Sequence, residues 1–428
     1  MFGQIIRYLW NCRRHNLWIM IELIVITIVS WMVIDPLFVL NYNRGIPDGY
    51  DVDGLYRLQL MRNPEDTVSN PADDYRLIMQ KLRNIPSVDA ATCVLRGVYP
   101  SSPGMNANNI VKDTVAITTT YIPFFRGSDF FRTWRFRSAS DGTWETLENL
   151  EVPDDGIILS EDAAAVLSGG GDMVGQTVHE GNGDGPSYRV VALMRPFKMR
   201  NGMQPCAVRL VPIIGEMPEW GFNGMRIFIR AKEGISEERF VEQFLQWSDE
   251  NLAGGGSLVF KDFLPFHEIQ AASDLEKGVT NEIRSKYLLA VFFLFNLLLA
   301  VSGTFWMNTS GRHEEIGIRL SYGASPGKIR LMLFGEGIAL TTVAVLLGCF
   351  VYFQWACFEG LYAFGDLYSY EKRMVVTSDS YLPGHFGLHF MIVSLLVYLL
   401  MMLVTCLGIS VPAYRISTIS LVRALKDE

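Results

Sequence analysis

The chain has 428 residues, of which 49% are hydrophobic, 12% aromatic and 19% charged, and its formal net charge is −8. Its mean hydropathy is positive, at +0.19. A soluble domain of this length usually carries more charge, so the composition argues against an entirely water-soluble protein and directs attention to membrane segments.

Four apolar runs are long enough to cross a bilayer, whose hydrocarbon layer of roughly 30 Å takes about 20 helical residues. The predicted spans are 17–40, 287–307, 331–357 and 388–411. The first run is too long for the core of a signal peptide and is not followed by a small-residue cleavage site, so we expect it to be retained. The other predicted segments are an N-terminal stretch 1–16, a large domain 41–284 and a C-terminal region 285–428 that includes the loop 308–330 and the tail 412–428.

Basic residues indicate the side of the membrane on which each segment lies. They flank the spans in the N-terminal stretch, in the loop 308–330 and in the tail. By contrast, residues 41–285 contain 24 lysines and arginines against 34 aspartates and glutamates. Because short basic segments stay in the cytoplasm, we predict a multi-pass inner-membrane protein with both termini cytoplasmic and the large domain in the periplasm.

This extracytoplasmic domain is predicted to be α+β, with two subdomains. Alternating apolar residues at 56–60 predict a strand, and "VDAATCVLRG" predicts another. Between them, Asn70 as N-cap, Pro71 in the first turn and Pro86 as a stop predict a helix. The run "SEERFVEQF" predicts a second helix, because its first turn is acidic and its phenylalanines share one face.

Motifs for catalysis and for cofactor binding do not occur in the sequence. No GxxxxGK[ST] phosphate loop is present, so the chain is not expected to hydrolyse ATP by itself, and "RHEEIG" lacks the second histidine of a zinc-protease helix. His385 and His389 stand four residues apart but have no third ligand in view, so we predict no metal site. "RGSDFFRTWRFR" mixes arginine with aromatics, but in an acidic external domain we interpret it as a solvated strand pair rather than a nucleic-acid site.

Two cysteines share the oxidising side of the predicted topology. Cys93 and Cys206 are therefore the pair that could form a disulfide, and two separate buried thiols are the alternative.

The loop between the second and third spans is predicted to hold a short helix with one apolar stripe. Ile316 and Leu320 stand four residues apart, and Glu315 precedes Arg319 by four. Gly323 fits a helix C-cap, and the "SP" at 325–326 fits the start of a new helix that runs into the third span. Such a stiff element either transmits a push from a cytosolic partner or only anchors the loop to the membrane surface.

The same stretch, "EIGIRLSYGASPGKIRLMLFGEGIAL", resembles the cytoplasmic-loop motif of MacB/FtsX-type ABC transporter permeases. The tail "VPAYRISTISLVRALKDE" is similar to the family's C-terminal pattern, with Ser420 where a proline often stands. In the external domain, "ILSEDAAAVL" and "RIFIRAKEGISEERFVEQF" resemble segments of the MacB-type periplasmic core domain. The resemblance extends over nearly the whole chain.

The resemblance implies a non-catalytic half-transporter without a cofactor of its own. It dimerises with a second copy or a paralogue, contacts membrane lipid and binds a cytosolic ABC ATPase that holds ATP and magnesium. Because the chain begins directly with a membrane helix, this ATPase is expected to be another polypeptide. A coupling helix at about 309–322 is expected to enter a groove of the ATPase. Its candidate residues, with those of the following turn, are Glu314, Glu315, Ile316, Gly317, Arg319, Gly323 and Ala324.

Three functions remain open at this point. The first is an exporter or extractor in which ATP moves the external domain (mechanotransmission), with a periplasmic adaptor and an outer-membrane channel as further partners. The second is a signalling permease that regulates a periplasmic cell-wall enzyme, and the third is an envelope receptor without an ATPase. The external domain is larger than the signalling branch of the family typically carries, which favours the first. The cargo is not indicated.

Two acids fall within predicted spans. Glu22 lies five residues into the first span and Glu336 lies near the cytosolic end of the third. Acids at membrane depth are costly and often functional, and the alternative is an interfacial acid that reaches the headgroups or pairs with a basic residue.

Overall fold

The structure is a computed structural model that describes residues 13–66, 68–95, 98–102, 104, 106–252, 256–310, 313–363, 374, 376 and 381–417. For 13–16, 308–310, 313–314 and 416–417 it describes the backbone alone. The N-terminal residues 1–12 and the tail residues 418–428, on which part of the predicted topology depends, lie outside the described part of the chain.

In the described residues, the helices are α1 (Arg13–Gly45), α2 (Pro71–Arg83), α3 (Phe130–Trp134), α4 (Glu145–Glu148), α5 (Glu161–Ser168), α6 (Glu237–Asn251), α7 (Phe266–Glu276), α8 (Val279–Ser310), α9 (His313–Ser321), α10 (Pro326–Glu359) and α11 (Phe386–Ser417). The strands are β1 (Leu55–Arg62), β2 (Val88–Val94), β3 (Ala107–Lys112), β4 (Val115–Phe125), β5 (Gly156–Ser160), β6 (Thr177–Glu180), β7 (Ser187–Met194), β8 (Val208–Ile213), β9 (Met225–Ala231) and β10 (Leu258–Pro265).

The chain divides into two compact units. One, the span unit, comprises Met1–Leu40, Asn281–Ala363 and Asp379–Glu428, and the other, the α+β unit, comprises Asn41–Thr280 and Phe364–Ser378. The α+β unit thus lies in sequence between the first and second apolar helices. The predicted fold class, four apolar helices with an α+β domain after the first, is confirmed.

Four helices of the span unit, α1, α8, α10 and α11, are long and apolar enough to cross a membrane. They contain the four predicted spans and extend each of them at both ends. Their shared core includes Trp31 of α1, whose ring stacks on Tyr352 of α10 at 4.5 Å and on Phe390 of α11 at 4.8 Å. A buried hydrogen bond of 3.0 Å joins Thr341 of α10 to Thr405 of α11. Aromatic stacking and small polar side chains are typical contacts between membrane helices.

One part of the α+β unit is a four-stranded antiparallel sheet in the order β10-β1-β9-β2. Alternate residues of β1 and β9 pack against α2 and α6 in one hydrophobic cluster, which contains Leu58, Ile227 and Phe244. The predicted start of α2 is confirmed, since the Asn70 side chain accepts a hydrogen bond from the Ala72 amide and Pro71 is the first helical residue. The alternation seen in the sequence therefore reflects strands whose alternate residues face these two helices.

The second part is a six-stranded closed barrel in the order β3-β4-β8-β5-β7-β6. Most neighbours are antiparallel, but β4 with β8 and β5 with β7 are parallel. The α+β unit thus contains a sheet and a barrel, and its division into two subdomains stays a prediction.

The run "RGSDFFRTWRFR" is not the predicted strand pair. Residues Phe130–Trp134 form the short helix α3, which ends at Arg135 with a left-handed φ of 55°. Phe130 and Trp134 are buried with Phe228 of β9 on the sheet face opposite α2 and α6. A single helical turn can bring several aromatic residues that are close in sequence into one core. Their spacing is therefore compatible with a short buried helix as well as with a strand.

Candidate functional site

The loop between the second and third apolar helices folds into the predicted short helix and tight turn. Helix α9 covers His313–Ser321, within the predicted range, and α10 begins at Pro326. The Ser325 hydroxyl accepts a hydrogen bond from the Lys328 amide, so the predicted N-cap is confirmed. A proline in the first turn suits this position, where no intrahelical donor is needed.

The turn between α9 and α10 depends on Gly323. Its φ is +84°, a conformation that residues with a Cβ rarely adopt. The Gly323 amide donates to the Leu320 carbonyl at 3.0 Å, and the Ala324 amide donates to the Arg319 carbonyl at 3.0 Å. These bonds close the end of α9 as a glycine C-cap does, so Gly323 and Ala324 form the turn for which they were predicted.

One face of helix α9 packs against the rest of the span unit, and the other face is exposed. Ile316 is 2% exposed and belongs to a cluster with Ile329 and Leu333 of α10. On the opposite face, Ile318 is 51% exposed and Tyr322 is 88% exposed. The apolar stripe predicted from the sequence is therefore the face that holds the helix in place.

This division separates the predicted coupling residues into two groups. Ile316 and Gly317 are buried against the span unit, so they position the helix. Glu315 and Arg319 lie towards the exposed side, and the Glu314 side chain lies outside the described residues. Sequence reasoning missed Ile318 and Tyr322, although their position out of phase with the Ile316 stripe marks the outer face.

Among the side chains of α9 that the structure describes, Glu315 and Arg319 form an ion pair on the exposed side. Arg319 Nη2 lies 2.6 Å from Glu315 Oε1, which confirms the predicted contact one turn apart. Both side chains are solvent-exposed by more than a third, so the pair contributes only about 0.3–0.5 kcal/mol to the helix. Arg319 Nη1 also lies 3.0 Å from the Met332 sulfur of α10. These contacts hold the Arg319 side chain across the turn.

The acids predicted in the spans differ in burial. Glu336 of α10 is 7% exposed, whereas Glu22 of α1 is half-buried. Two further residues of this kind were missed: Asp35 of α1 and His389 of α11 are both buried and lie 2.7 Å apart. His389 was considered only as a metal ligand, and no group of three metal-ligating side chains occurs among the described residues. The signal by which both residues could have been found is an ionisable side chain inside an apolar run.

Cys93 and Cys206, the pair that could have formed a disulfide, are not bridged to each other. Cys93 lies in the cluster between the sheet and its helices, Cys206 lies in the aromatic cluster on the other face, and the two residues are not bonded to each other. Burial raises the pKa of the Cys93 thiol above its ordinary range. A shared compartment allows a bridge but does not bring the two residues together, and the alternative of two separate buried thiols is confirmed.

Two family profiles match the chain. The MacB-like periplasmic core domain matches residues 24–246, more than half of the 428 residues. The FtsX-like permease C-terminal region matches residues 287–421, which include α9, the turn and α10. No curated protein sequence matches the chain.

Similar solved structures include two extracytoplasmic domains. The extracellular domain of the ABC-type transporter YknZ from Gram-positive bacteria is 11% identical, with a TM-score of 0.29, 48% of this chain covered and 100% of that chain covered. The periplasmic region of MacB from Actinobacillus actinomycetemcomitans is 10% identical, with a TM-score of 0.32, and the match covers 52% of this chain and 92% of that chain. Assignment to a family rests on the two profiles, which occur in the order that the fold requires. The chain belongs to the MacB/FtsX-type ABC transporter permeases, a family of non-catalytic transporter components with a MacB-like periplasmic core domain and an FtsX-like membrane region.

Proposed function

We propose that this chain is the permease subunit of an ABC exporter or extractor, in which a separate ATPase subunit drives motion of the periplasmic domain. The observation that carries the proposal is the element formed by α9, the Gly323 turn and α10. Helix α9 has one face packed on the span unit and one face exposed, and its turn is closed by backbone hydrogen bonds. A partner that grips the exposed face therefore displaces α10 without first unfolding the loop.

The contact surface for this partner is the exposed face of α9 and its turn, defined here as Glu315, Ile318, Arg319 and Tyr322. It combines two apolar side chains with an ion pair. Exposed apolar residues rimmed by charges are typical of protein interfaces. Glu314, Gly323 and Ala324 complete the proposed coupling element, with Ile316 and Gly317 as the residues that hold it against the spans.

The remaining partners in this proposal follow from the family context. A second permease copy or a paralogue completes the transporter, ATP and magnesium bind to the ATPase subunit, and the spans contact lipid. A periplasmic adaptor and an outer-membrane channel join if the cargo crosses the outer membrane as well. Residues 41–284 form the periplasmic domain, and 308–330 form the cytoplasmic coupling loop.

The orientation of the loop can be measured directly. Ser325 is exposed in the turn, so a Ser325→Cys variant offers a reactive thiol at this position. Basic residues at this end of the spans favour the cytoplasmic side, among them Arg330, whose guanidinium lies 4.7 Å from the Tyr414 ring centre. We expect a membrane-impermeant maleimide to label this thiol only after the cells are opened. Labelling in sealed cells at the rate found in opened cells would place the loop outside and end the coupling proposal.

Removing the Tyr322 side chain tests the contact itself. Tyr322 is 88% exposed, so Tyr322→Ser should leave the fold unchanged and lower the affinity for the ATPase subunit and the stimulated hydrolysis tenfold or more. A tenfold loss corresponds to about 1.4 kcal/mol, which is typical for one aromatic residue in an interface. The measurement is ATP hydrolysis by the complex purified with its cognate ATPase.

The matched control is Phe358→Ser. Phe358 is 90% exposed and lies near the other end of α10, so it equals Tyr322 in exposure but lies far from the turn. This variant should retain full stimulation. Equal hydrolysis in both variants, at or near the unmodified level, would show that the exposed face of α9 does not carry the coupling.

A further inference from the structure

A buried acid and a buried imidazole meet inside the span unit. Asp35 of α1 is 1% exposed and His389 of α11 is 0% exposed. His389 Nε2 lies 2.7 Å from Asp35 Oδ1, and the two residues are 354 positions apart in sequence. Ionisable side chains are expensive in such surroundings and mark functional sites in membrane proteins.

The hydrogen-bond partners show how many protons the pair holds. His389 Nδ1 lies 3.1 Å from the Pro383 carbonyl oxygen, which can only accept, so Nδ1 carries a hydrogen. The short contact between Nε2 and Asp35 Oδ1 needs one further hydrogen, whichever of the two atoms it is bonded to. The closed pair therefore holds two protons and is neutral as a whole.

The second carboxylate oxygen of Asp35 links the pair to the other spans. It accepts a hydrogen bond of 3.0 Å from the Tyr362 amide, in the segment that follows α10. The Tyr362 hydroxyl in turn lies 3.3 Å from Glu282 Oε1, near the start of α8. One polar network thus connects α1, α8 and α11 with the segment after α10. A network that is this completely satisfied favours one arrangement of the helices.

We propose that Asp35 and His389 form a proton-binding site that fastens the first apolar helix to the fourth, and that separating the two side chains releases a proton. In water an aspartate loses its proton above about pH 3.9 and a histidine above about pH 6.5. At pH 7.5 the separated residues therefore hold about one proton, whereas the closed pair holds two. The closed form binds more protons, so its ratio to the open form falls with rising pH, by up to about tenfold per unit above pH 6.5.

Other titratable groups near the pair are Tyr352 of α10, Tyr362, Glu282 and, one turn before His389, His385. A tyrosine with its ordinary pKa of about 10 does not titrate between pH 5 and about pH 8. Glu282 and His385 are present in the unmodified chain and in every variant below, so their effect cancels in a comparison. The proposal does not depend on the coupling function of α9.

The test compares two single variants of the full-length chain in lipid nanodiscs between pH 5 and 6.5. In Asp35→Asn the lone imidazole stays neutral while buried but binds a second proton when unfolded, so the melting temperature rises with pH. In His389→Gln the lone carboxyl keeps its proton while buried but loses it when unfolded, so the melting temperature falls with pH. We expect the two variants to move in opposite directions relative to the unmodified chain.

Thr341→Val is the matched control, since it removes the buried 3.0 Å hydrogen bond to Thr405 without a titratable group. Its melting temperature should be lower by a constant amount at every pH. If the melting temperatures of both single variants are also lowered by an amount that does not change with pH, the pair is an ordinary structural hydrogen bond and the proposal fails.

If a single variant does not fold, nitrogen-15 NMR of the unmodified chain with labelled histidine decides the matter. His389 Nδ1 should carry a bonded hydrogen, and Nε2 should show a hydrogen bond to the Asp35 carboxyl. A ring without the hydrogen at Nδ1, or without the hydrogen bond at Nε2, would overturn the proposal.

Discussion

Replacing Arg230 with methionine is expected to lower the free energy of unfolding of the α+β unit by about 3–5 kcal/mol, because each buried carbonyl that loses its donor costs about 1–3 kcal/mol. Arg230 lies on β9 and is 2% exposed. Its guanidinium donates to the backbone carbonyls of Thr133 and Asp51, both at 2.6 Å, and of Asp53 at 2.8 Å. Methionine fills a similar volume but leaves all three carbonyl oxygens without this donor.

The charge of Arg230 persists despite its burial. Burial and the neighbouring Arg135 lower the pKa of Arg230 to about 10, which is still far above neutral pH. Arg230 therefore connects α3 to the segment 51–53, which precedes β1, as a charged donor. Hydrogen bonds from charged groups are stronger than those between neutral groups. Lysine is not equivalent, because its ammonium cannot span three carbonyls with the planar fork of arginine.

The control for Arg230 is Arg62→Met on the adjacent strand β1. Arg62 pairs with Glu219 at 3.2 Å, but the two side chains are 40% and 81% exposed. This change should cost less than about 1 kcal/mol, as is usual for surface ion pairs. Both variants can be compared by denaturant unfolding of the full chain, followed through tryptophan fluorescence. Equal losses would mean that the carbonyl contacts of Arg230 contribute nothing beyond a surface charge.

Replacing Gly348 with valine is expected to force α1 and α10 apart. A Cβ at Gly348 would lie 2.7 Å from the Thr27 methyl and 3.3 Å from the Ile24 carbonyl oxygen. The helices approach closely here because neither has a bulky residue at the contact, as is common between membrane helices. Overpacking of this kind costs about 1–3 kcal/mol, and backbone contact on one side leaves little room for adjustment.

Gly303→Ala provides the comparison for Gly348→Val. Gly303 is also a glycine within a long apolar helix, α8, but a Cβ there would meet nothing within 4 Å. Alanine is a better helix former than glycine by about 1 kcal/mol, so this variant should be as stable as the unmodified chain or slightly more stable. Thermal unfolding of both variants in the same detergent measures the difference. If Gly348→Val unfolds at the same temperature as Gly303→Ala, α1 and α10 are not in close contact.

Local patterns in the sequence were sufficient for elements whose stability is determined locally. Apolar runs of about 20 residues can satisfy their backbone in a bilayer only as helices, so the four spans followed from length and hydropathy. Caps depend on neighbouring residues alone, which is why Asn70, Gly323 and Ser325 were assigned correctly. The α+β class of the central domain followed in the same way from periodicity and turn residues.

Only the tertiary structure decided which distant residues meet. The sequence placed Cys93 and Cys206 in one compartment, but the tertiary fold places them in different clusters. Asp35 and His389 were missed in the sequence analysis, and their pairing depends on how the first and last helices pack. The sequence identified the apolar stripe of α9, but only packing against α10 showed that Ile316 points inward and Tyr322 outward. Propensity and capping act over a few residues, whereas burial is decided by whatever the fold brings to the other side.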